Sequence, residues 1–244
     1  MVNDKVIAII PARWASTRLP GKPLADINGK PMIQWVYEAV KKSDVDEVLI
    51  ATDDERIFNV VKEFDGNVLM TSDKHQTGTE RVLEAYQMFN DRYDYVINLQ
   101  GDEPLVTAGE INQLIKKRKK ETCSVVTVVS PMTDIERKDR NTVKAYVIDD
   151  RVLMFTRSPL YKLSALWFKH QGIYAFTKHA LKLIEDLKEQ TENEKGENLE
   201  QLRWADAGFE FGYYISTAPH VGVDTPSDIK LVETVLKQRL NYSI

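Results

Sequence analysis

The sequence is short of cysteine and has no long apolar run, and each shortage removes a class of protein. The one cysteine, Cys123, excludes a disulfide framework and fits a reducing compartment. Set in the run CSVVTVV, it reads as a small buried side chain rather than a reactive thiol. No stretch reaches the roughly 20 apolar residues of a bilayer-spanning helix, and nothing at the amino terminus resembles a signal peptide. The expected location is the cytoplasm, with no membrane partner. A surplus of positive charge is also missing. Lys and Arg number 33 against 37 Asp and Glu, a formal net charge of −4, so a broad nucleic-acid surface is not expected and any anion must be held by a local cluster. The glycines of the common phosphate loops are absent as well. Gly21-Lys22 is followed by Pro23 instead of completing a P-loop, and the spaced glycines of a dinucleotide fingerprint do not occur.

What is present alternates. Short β-branched runs (VIAII, EVLIAT, NVLMT, YVINLQ, SVVTVV) are separated by segments of helical period, PMIQWVYEAVKK, ERIFNVVKEF, TERVLEAYQMFN and a helix from Ala108 to Lys120. This order predicts an α/β fold with a doubly wound, mostly parallel sheet. After Pro131 the rhythm changes: TVKAYVIDD and RVLMFTRSP read as two strands around a turn at Asp149 and Asp150, and HQGIYAF as another, a small antiparallel insertion at about 140–180. The chain is expected to form one domain over 1–244. Gly196 is expected in a solvated break, FEFGYYIS and HVGV as strands, Thr79 and Ser227 as helix-capping residues.

In an open parallel sheet, ligands gather at the carboxyl ends of the strands. The segment after the first strand, PARWASTRLPGKPL, puts Arg13, Arg18 and Lys22 there, on a loop stiffened by Pro11, Pro20 and Pro23. Forked and point-charge donors of this kind neutralise phosphate oxygens. Asp102 follows the strand YVIN and Asp224 follows HVGV, so two carboxylates converging at that edge could hold Mg²⁺. Locally, Asp102 reads equally as a turn former and Asp224 as a helix-entry residue.

The run IIPARWASTRLPGKPLADINGKPMI resembles the first motif of the sugar-acid cytidylyltransferases, in particular the 3-deoxy-manno-octulosonate (Kdo) cytidylyltransferases. ATDDERI, HQTGTERV, VINLQGDEPLV, FTRSPL, KHQGIYAF, LEQLRW and GVDTPSDI follow in the family's order, over nearly the whole chain. The resemblance implies a fold of nucleotide-diphospho-sugar transferase type and direct attack of the acid's anomeric hydroxyl on the α-phosphorus of CTP. Alternatives are an 8-amino-Kdo or other 2-keto-3-deoxy acid as acceptor, or a non-catalytic nucleotide-binding module. It further implies a pathway to lipopolysaccharide or capsule, a homodimer, and Mg²⁺ on Asp102 and Asp224 with Glu103 in a supporting place. Lys22 is implied in catalysis. Ala12, Arg13, Arg18, Lys22, Ser72, Gly78 and Arg81 are implied for the nucleotide; Gln100, Arg157, His170, Tyr174, Glu200 and Gln201 for the sugar acid. By themselves Arg157 and His170 read as a surface arginine and a core histidine. His75 has no assigned role and reads as an exposed loop histidine. One departure stands out: between Arg157 and His170 the chain is shorter than in the enzymes it resembles. Its apolar LSALWF, with Leu166, Trp167 and Phe168 expected exposed, is expected to alter sugar preference or to form a dimer contact.

Overall fold

A computed structural model describes residues 4–16, 18–89, 91–161 and 164–241. The chain packs as two compact units, one made of residues 1–93, 97–112 and 219–244, the other of 94–96 and 113–218.

In the first unit, β1 (Val6–Ala12) is apolar throughout, and all seven of its residues are buried. It pairs in parallel with β4 (Glu47–Thr52), and β4 with β5 (Val68–Met70). A small ribbon, β2 (Asp26–Ile27) and β3 (Lys30–Pro31), follows the opening loop. Helix α1 (Met32–Lys41) buries Met32, Ile33, Val36, Tyr37 and Val40, one stripe at helical spacing. Asp54 caps α2 (Glu55–Glu63), accepting from the Arg56 N–H at 2.9 Å. The cap of helix α3 (Gly78–Gln87) lies two residues earlier than expected: Thr77, not Thr79, in a reciprocal box with Glu80. Thr79 is buried instead and accepts from Asn98 at 3.0 Å, in β6 (Tyr95–Asn98). Helix α4 spans Ala108–Lys120.

The second unit is mixed. β7 (Val125–Ser130) runs parallel to β11 (Phe211–Ile215) and antiparallel to β10 (Trp167–Thr177). β8 (Lys144–Ile148) and β9 (Arg151–Thr156) form the expected hairpin, its turn carried by Asp149 and Asp150 at φ +46° and +63°, a conformation aspartate tolerates. The register of β10 against β7 slips between His170 and Tyr174, where Gly172 adopts φ +59°. This bulge re-aims the side chains on either side of it. The apolar stretch before β10 is not an exposed tip as expected. Leu166 is exposed, but Trp167 and Phe168 are half-buried and open β10, the Trp167 ring lying 4.9 Å from that of Tyr146. Leu163 lies outside the described residues. Short helices α5 (Asp134–Lys138), α6 (Lys178–Glu185), α7 (Glu192–Glu197) and α8 (Gln201–Asp206) flank the strands. Gly196 lies inside α7; the break comes at Asn198, left-handed at φ 52°.

The chain then returns to the first unit. HVGV forms no strand but an extended loop, whose Val223 is buried against Ile27, Met32, Leu105 and Val232. Burying such a side chain stabilises by about 1.5–3 kcal/mol. Helix α9 (Pro226–Asn241) begins with Pro in its first position. Ser227 is therefore already inside the helix; Asp228 caps the end, accepting from the backbone N–H groups of Asp224 and Thr225 at 3.0 and 2.8 Å.

Candidate active site

The opening loop is a shaped structure rather than a solvated one. Gly21 is left-handed at φ +68°, and a Cβ there would lie 2.8 Å from the Trp14 indole, so only glycine fits under the ring. The guanidinium of Arg56 stacks on Trp14 at 3.4 Å from the ring centre. The chain folded this way delivers Lys22 at the start of a short 3₁₀ turn, Lys22–Leu24. Lys22 Nζ lies 2.5 Å from Asp102 Oδ2 and 3.2 Å from Asp224 Oδ1, and Arg18 pairs with the other oxygen of Asp224 at 2.9 Å. Burial opposes the charge on Lys22, but Asp102 and then Asp224 outweigh it and hold its pKa above the ordinary value. Asp102 and Asp224 thus converge on the Lys22 ammonium.

This donor set suits Mg²⁺. The ion takes one or two protein carboxylates and completes its shell with water and substrate phosphates. Among the described residues no group of three or more His, Cys, Asp or Glu gathers as an alternative metal cage. Ala12 is buried at the end of β1, while Arg13 is exposed and is not brought to the carboxylates.

The remaining nucleotide candidates form a second cluster in the same unit. Arg81 is buried, pairing with Asp53 at 2.6 Å and donating to Thr71 Oγ1 at 2.5 Å and the Ser72 carbonyl at 3.2 Å. Its guanidinium is spent on shaping the loop. The Ser72 N–H donates to Glu84 at 2.9 Å, and Glu84 also engages His75, which is therefore half-buried and paired instead of being the exposed residue expected. Gly78 admits the Gln100 amide: a Cβ would meet its Nε2 at 3.0 Å and Oε1 at 3.1 Å. Gln100 Nε2 donates to Asn98 Oδ1 at 3.1 Å.

The second unit holds the other five candidates. His170 Nε2 lies 2.8 Å from Thr127 Oγ1, whose single proton goes to the Ile173 carbonyl at 2.8 Å. The imidazole must therefore donate from Nε2, which leaves Nδ1 as an acceptor. Burial, and then the charge of Arg157, push the His170 pKa down to about 3, so the ring is neutral. Arg157 donates to the carbonyls of Asn141 at 2.9 Å and Glu197 at 3.1 Å. The Tyr174 ring packs against His170 and Trp204, and burial followed by the charge of Glu200 raises its pKa well above the usual phenol range. Gln201 is buried, with Nε2 lacking a hydrogen-bond partner among the described residues. An orphaned buried donor implies a ligand or water.

Sequence reasoning missed Thr127, although it is the one polar residue inside VVTVV. It also missed Lys144, fully buried, whose Nζ donates to the carbonyls of Asp139 at 2.5 Å and Arg157 at 3.0 Å, and whose pKa burial lowers.

Residues 7–212 match the cytidylyltransferase family. The 3-deoxy-manno-octulosonate cytidylyltransferase of Parabacteroides distasonis is 41% identical, over 96% of this chain and 99% of its own length. That of Escherichia coli is 40% identical, over 97% and 98%. The chain belongs to the 3-deoxy-manno-octulosonate cytidylyltransferase family. A solved CMP:2-keto-3-deoxy-manno-octonic acid synthetase, complexed with CTP, superposes with a TM-score of 0.88 at 38% identity, over 96% of this chain and 99% of that one. The family's fold is α/β, the class read from the alternating strands and helices, and its nucleotidyltransferase type is the one the resemblance implied. No described helix is long and apolar enough to cross a membrane.

Proposed function

We propose that this chain joins CTP to the anomeric 2-hydroxyl of Kdo, releasing pyrophosphate and yielding the CMP-sugar, in the cytoplasm and for lipopolysaccharide or capsule. The observation that carries the reading is the convergence of Asp102 and Asp224 on Lys22 beside Arg18. Four charges so placed suit a polyphosphate with its counterion. Asp102 and Asp224 would hold Mg²⁺, which when bound would supply charge neutralisation and lower the pKa of the attacking hydroxyl.

Arg13, Arg18 and Lys22 take up charge on the triphosphate and on the departing pyrophosphate, the kind of electrostatic stabilisation that dominates phosphoryl transfer. A new bond forms between the sugar oxygen and the α-phosphorus as the bond from the α-phosphorus to the bridging oxygen breaks. The hydroxyl proton leaves to solvent. Ala12, Ser72 and Gly78 line the cytidine site, with Arg81 fixing Ser72. Gln100 reaches a sugar hydroxyl. In the second unit, Arg157 holds the carboxylate, His170 Nδ1 accepts from a hydroxyl, and Tyr174, Glu200 and Gln201 complete the set; the unpartnered Gln201 Nε2 supports this assignment. The reading takes the chain over 1–244 as one cytidylyltransferase domain. Two copies associate through the antiparallel segment at about 140–180, where Leu153, Met154, Tyr161 and Leu166 are exposed.

Pyrophosphate release with Mg²⁺ tests the reading, comparing Kdo, 8-amino-Kdo and N-acetylneuraminate as acceptors and the other three nucleotides as controls. Release with CTP and Kdo alone is expected. Preference for another acid would reassign the acceptor, and silence with all of them would leave a nucleotide-binding module.

A further inference from the structure

The two acids of the site stand on segments without regular structure, the turn after β6 and the stretch 219–224. A backbone bond joins these segments, the Val223 N–H donating to the Asp102 carbonyl at 2.9 Å. Beside it lies a buried side-chain cluster with no part in the reading so far. His220 Nε2 is 2.7 Å from Oε1 of Glu110 in the first turn of α4, and its Nδ1 is 3.8 Å from Oε2 of Glu103, the residue after Asp102. The three side chains are 2%, 2% and 10% exposed. One imidazole therefore ties together three pieces of chain: the Asp102 turn, the start of α4 and the segment ending in Asp224. Gly222 closes over the same cluster, since a Cβ there would stand 3.3 Å from Glu103 Oε1. From α9, Arg239 donates to the Leu105 carbonyl at 2.7 Å and turns its charge toward Glu110.

We propose that His220 is a positioning residue for the acid pair: by bridging Glu103 and Glu110 it fixes the 219–224 segment against the Asp102 turn and so sets the separation of Asp102 from Asp224. The inference rests on the reading of those two aspartates as the metal-and-nucleotide acids. His220 itself touches neither substrate nor reacting atoms. The groups facing it are Glu103 and Glu110, with Arg239 beyond Glu110. Burial opposes its charge, but these two carboxylates raise its pKa to about 9, so at neutral pH both ring nitrogens carry a proton, Nε2 donating to Glu110 and Nδ1 forming an ion pair with Glu103 at 3.8 Å. A histidine that only stabilised the unit would leave the spacing of the aspartates unchanged when removed. A positioning histidine does not.

The test compares the wild type with His220→Ala, which loses both bridges, and His220→Gln, which keeps one donor for Glu110. Amide hydrogen exchange at Val223 is expected to accelerate at least about tenfold in His220→Ala, with Val36 and Ile97 unchanged. The Mg²⁺ concentration for half-maximal pyrophosphate release is expected to rise about tenfold, the usual scale for removal of an outer partner of a metal ligand, while KM for the sugar acid holds. His220→Gln should recover part of both effects. Unchanged Val223 exchange and an unchanged Mg²⁺ requirement, with or without a lower Tm, overturn the proposal. If His220→Ala does not fold, His220→Gln carries the same two readouts. A wild type that releases no pyrophosphate from CTP with any acid defeats the functional reading, and the exchange measurement still decides the positioning.

Discussion

His220 in the first unit and His170 in the second are both buried, and burial drives both toward the neutral form. They end at opposite extremes. Two carboxylates hold the first protonated, with its pKa near 9, whereas His170 faces a threonine hydroxyl and the charge of Arg157 and falls to about 3. Carboxylates facing the ring override burial at His220, whereas at His170 burial, reinforced by a like charge, prevails. The contrast extends to the surroundings. The first unit gathers formal charges, with Lys22 pairing to Asp102 and Asp224 and Arg18 to Asp224. In the second, a neutral imidazole and phenol, His170 and Tyr174, lie against each other with Thr127, and the charges of Arg157 and Glu200 act on them from nearby.

Breaking the charged side of this comparison should have the largest effect. Asp102→Ala leaves Lys22 one carboxylate and removes half of the acid pair, so pyrophosphate release should fall by about a thousandfold or more at an unchanged Tm. Normal turnover would return Asp102 to a turn former. Lys22→Ala comes next: kcat/KM for CTP should drop about a hundredfold, comparable to removing one charge-assisted hydrogen bond from a dry site, and an unchanged value would make Lys22 a mere partner of the aspartates.

On the neutral side, Arg157→Ala should raise KM for the sugar acid about 10- to 50-fold with KM for CTP unaltered; a rise in both would show that the division of labour between the units is wrong. The smallest effect is on pH-dependent stability. His220 has its folded pKa above the unfolded value of about 6.5, so its contribution is complete below that pH and is lost as pH rises through about 9. For His170 the unfolded chain binds a proton that the folded one refuses, so stability is lost as pH falls from about 6.5 toward 3. Urea unfolding between pH 4 and 10 should show His220→Gln flattening only the alkaline decline and His170→Gln only the acid one.

Much of this was legible in the residues. VIAII, EVLIAT and SVVTVV became strands because short β-branched runs between turn formers have few other solutions, and the helix at Ala108–Lys120 follows its polar and apolar period. Helix starts were read one or two residues late. A hydroxyl residue near a helix entrance is locally as good a cap as its neighbour, and the choice of Thr77 over Thr79 rests on Asn98, a contact distant in sequence. HVGV resembles a strand in composition, but its valine is needed in the core beside Ile27 and Met32. In the site, residue types announced Lys22, Asp102 and Asp224, yet only the fold shows that they meet. His170 was readable as a core histidine, but its neutral state depends on its burial and on the charge of Arg157, a neighbour thirteen residues away in sequence.

The first unit is threaded discontinuously, its last piece supplied by 219–224 and α9. A ribosome therefore completes the second unit while the first still lacks Asp224, Val223 and the cap of α9. Until then Arg18 has no carboxylate to face, and Lys22 has one. A chain cut short before Val223 carries every motif of the opening loop and still cannot bring Asp224 to Lys22 and Arg18.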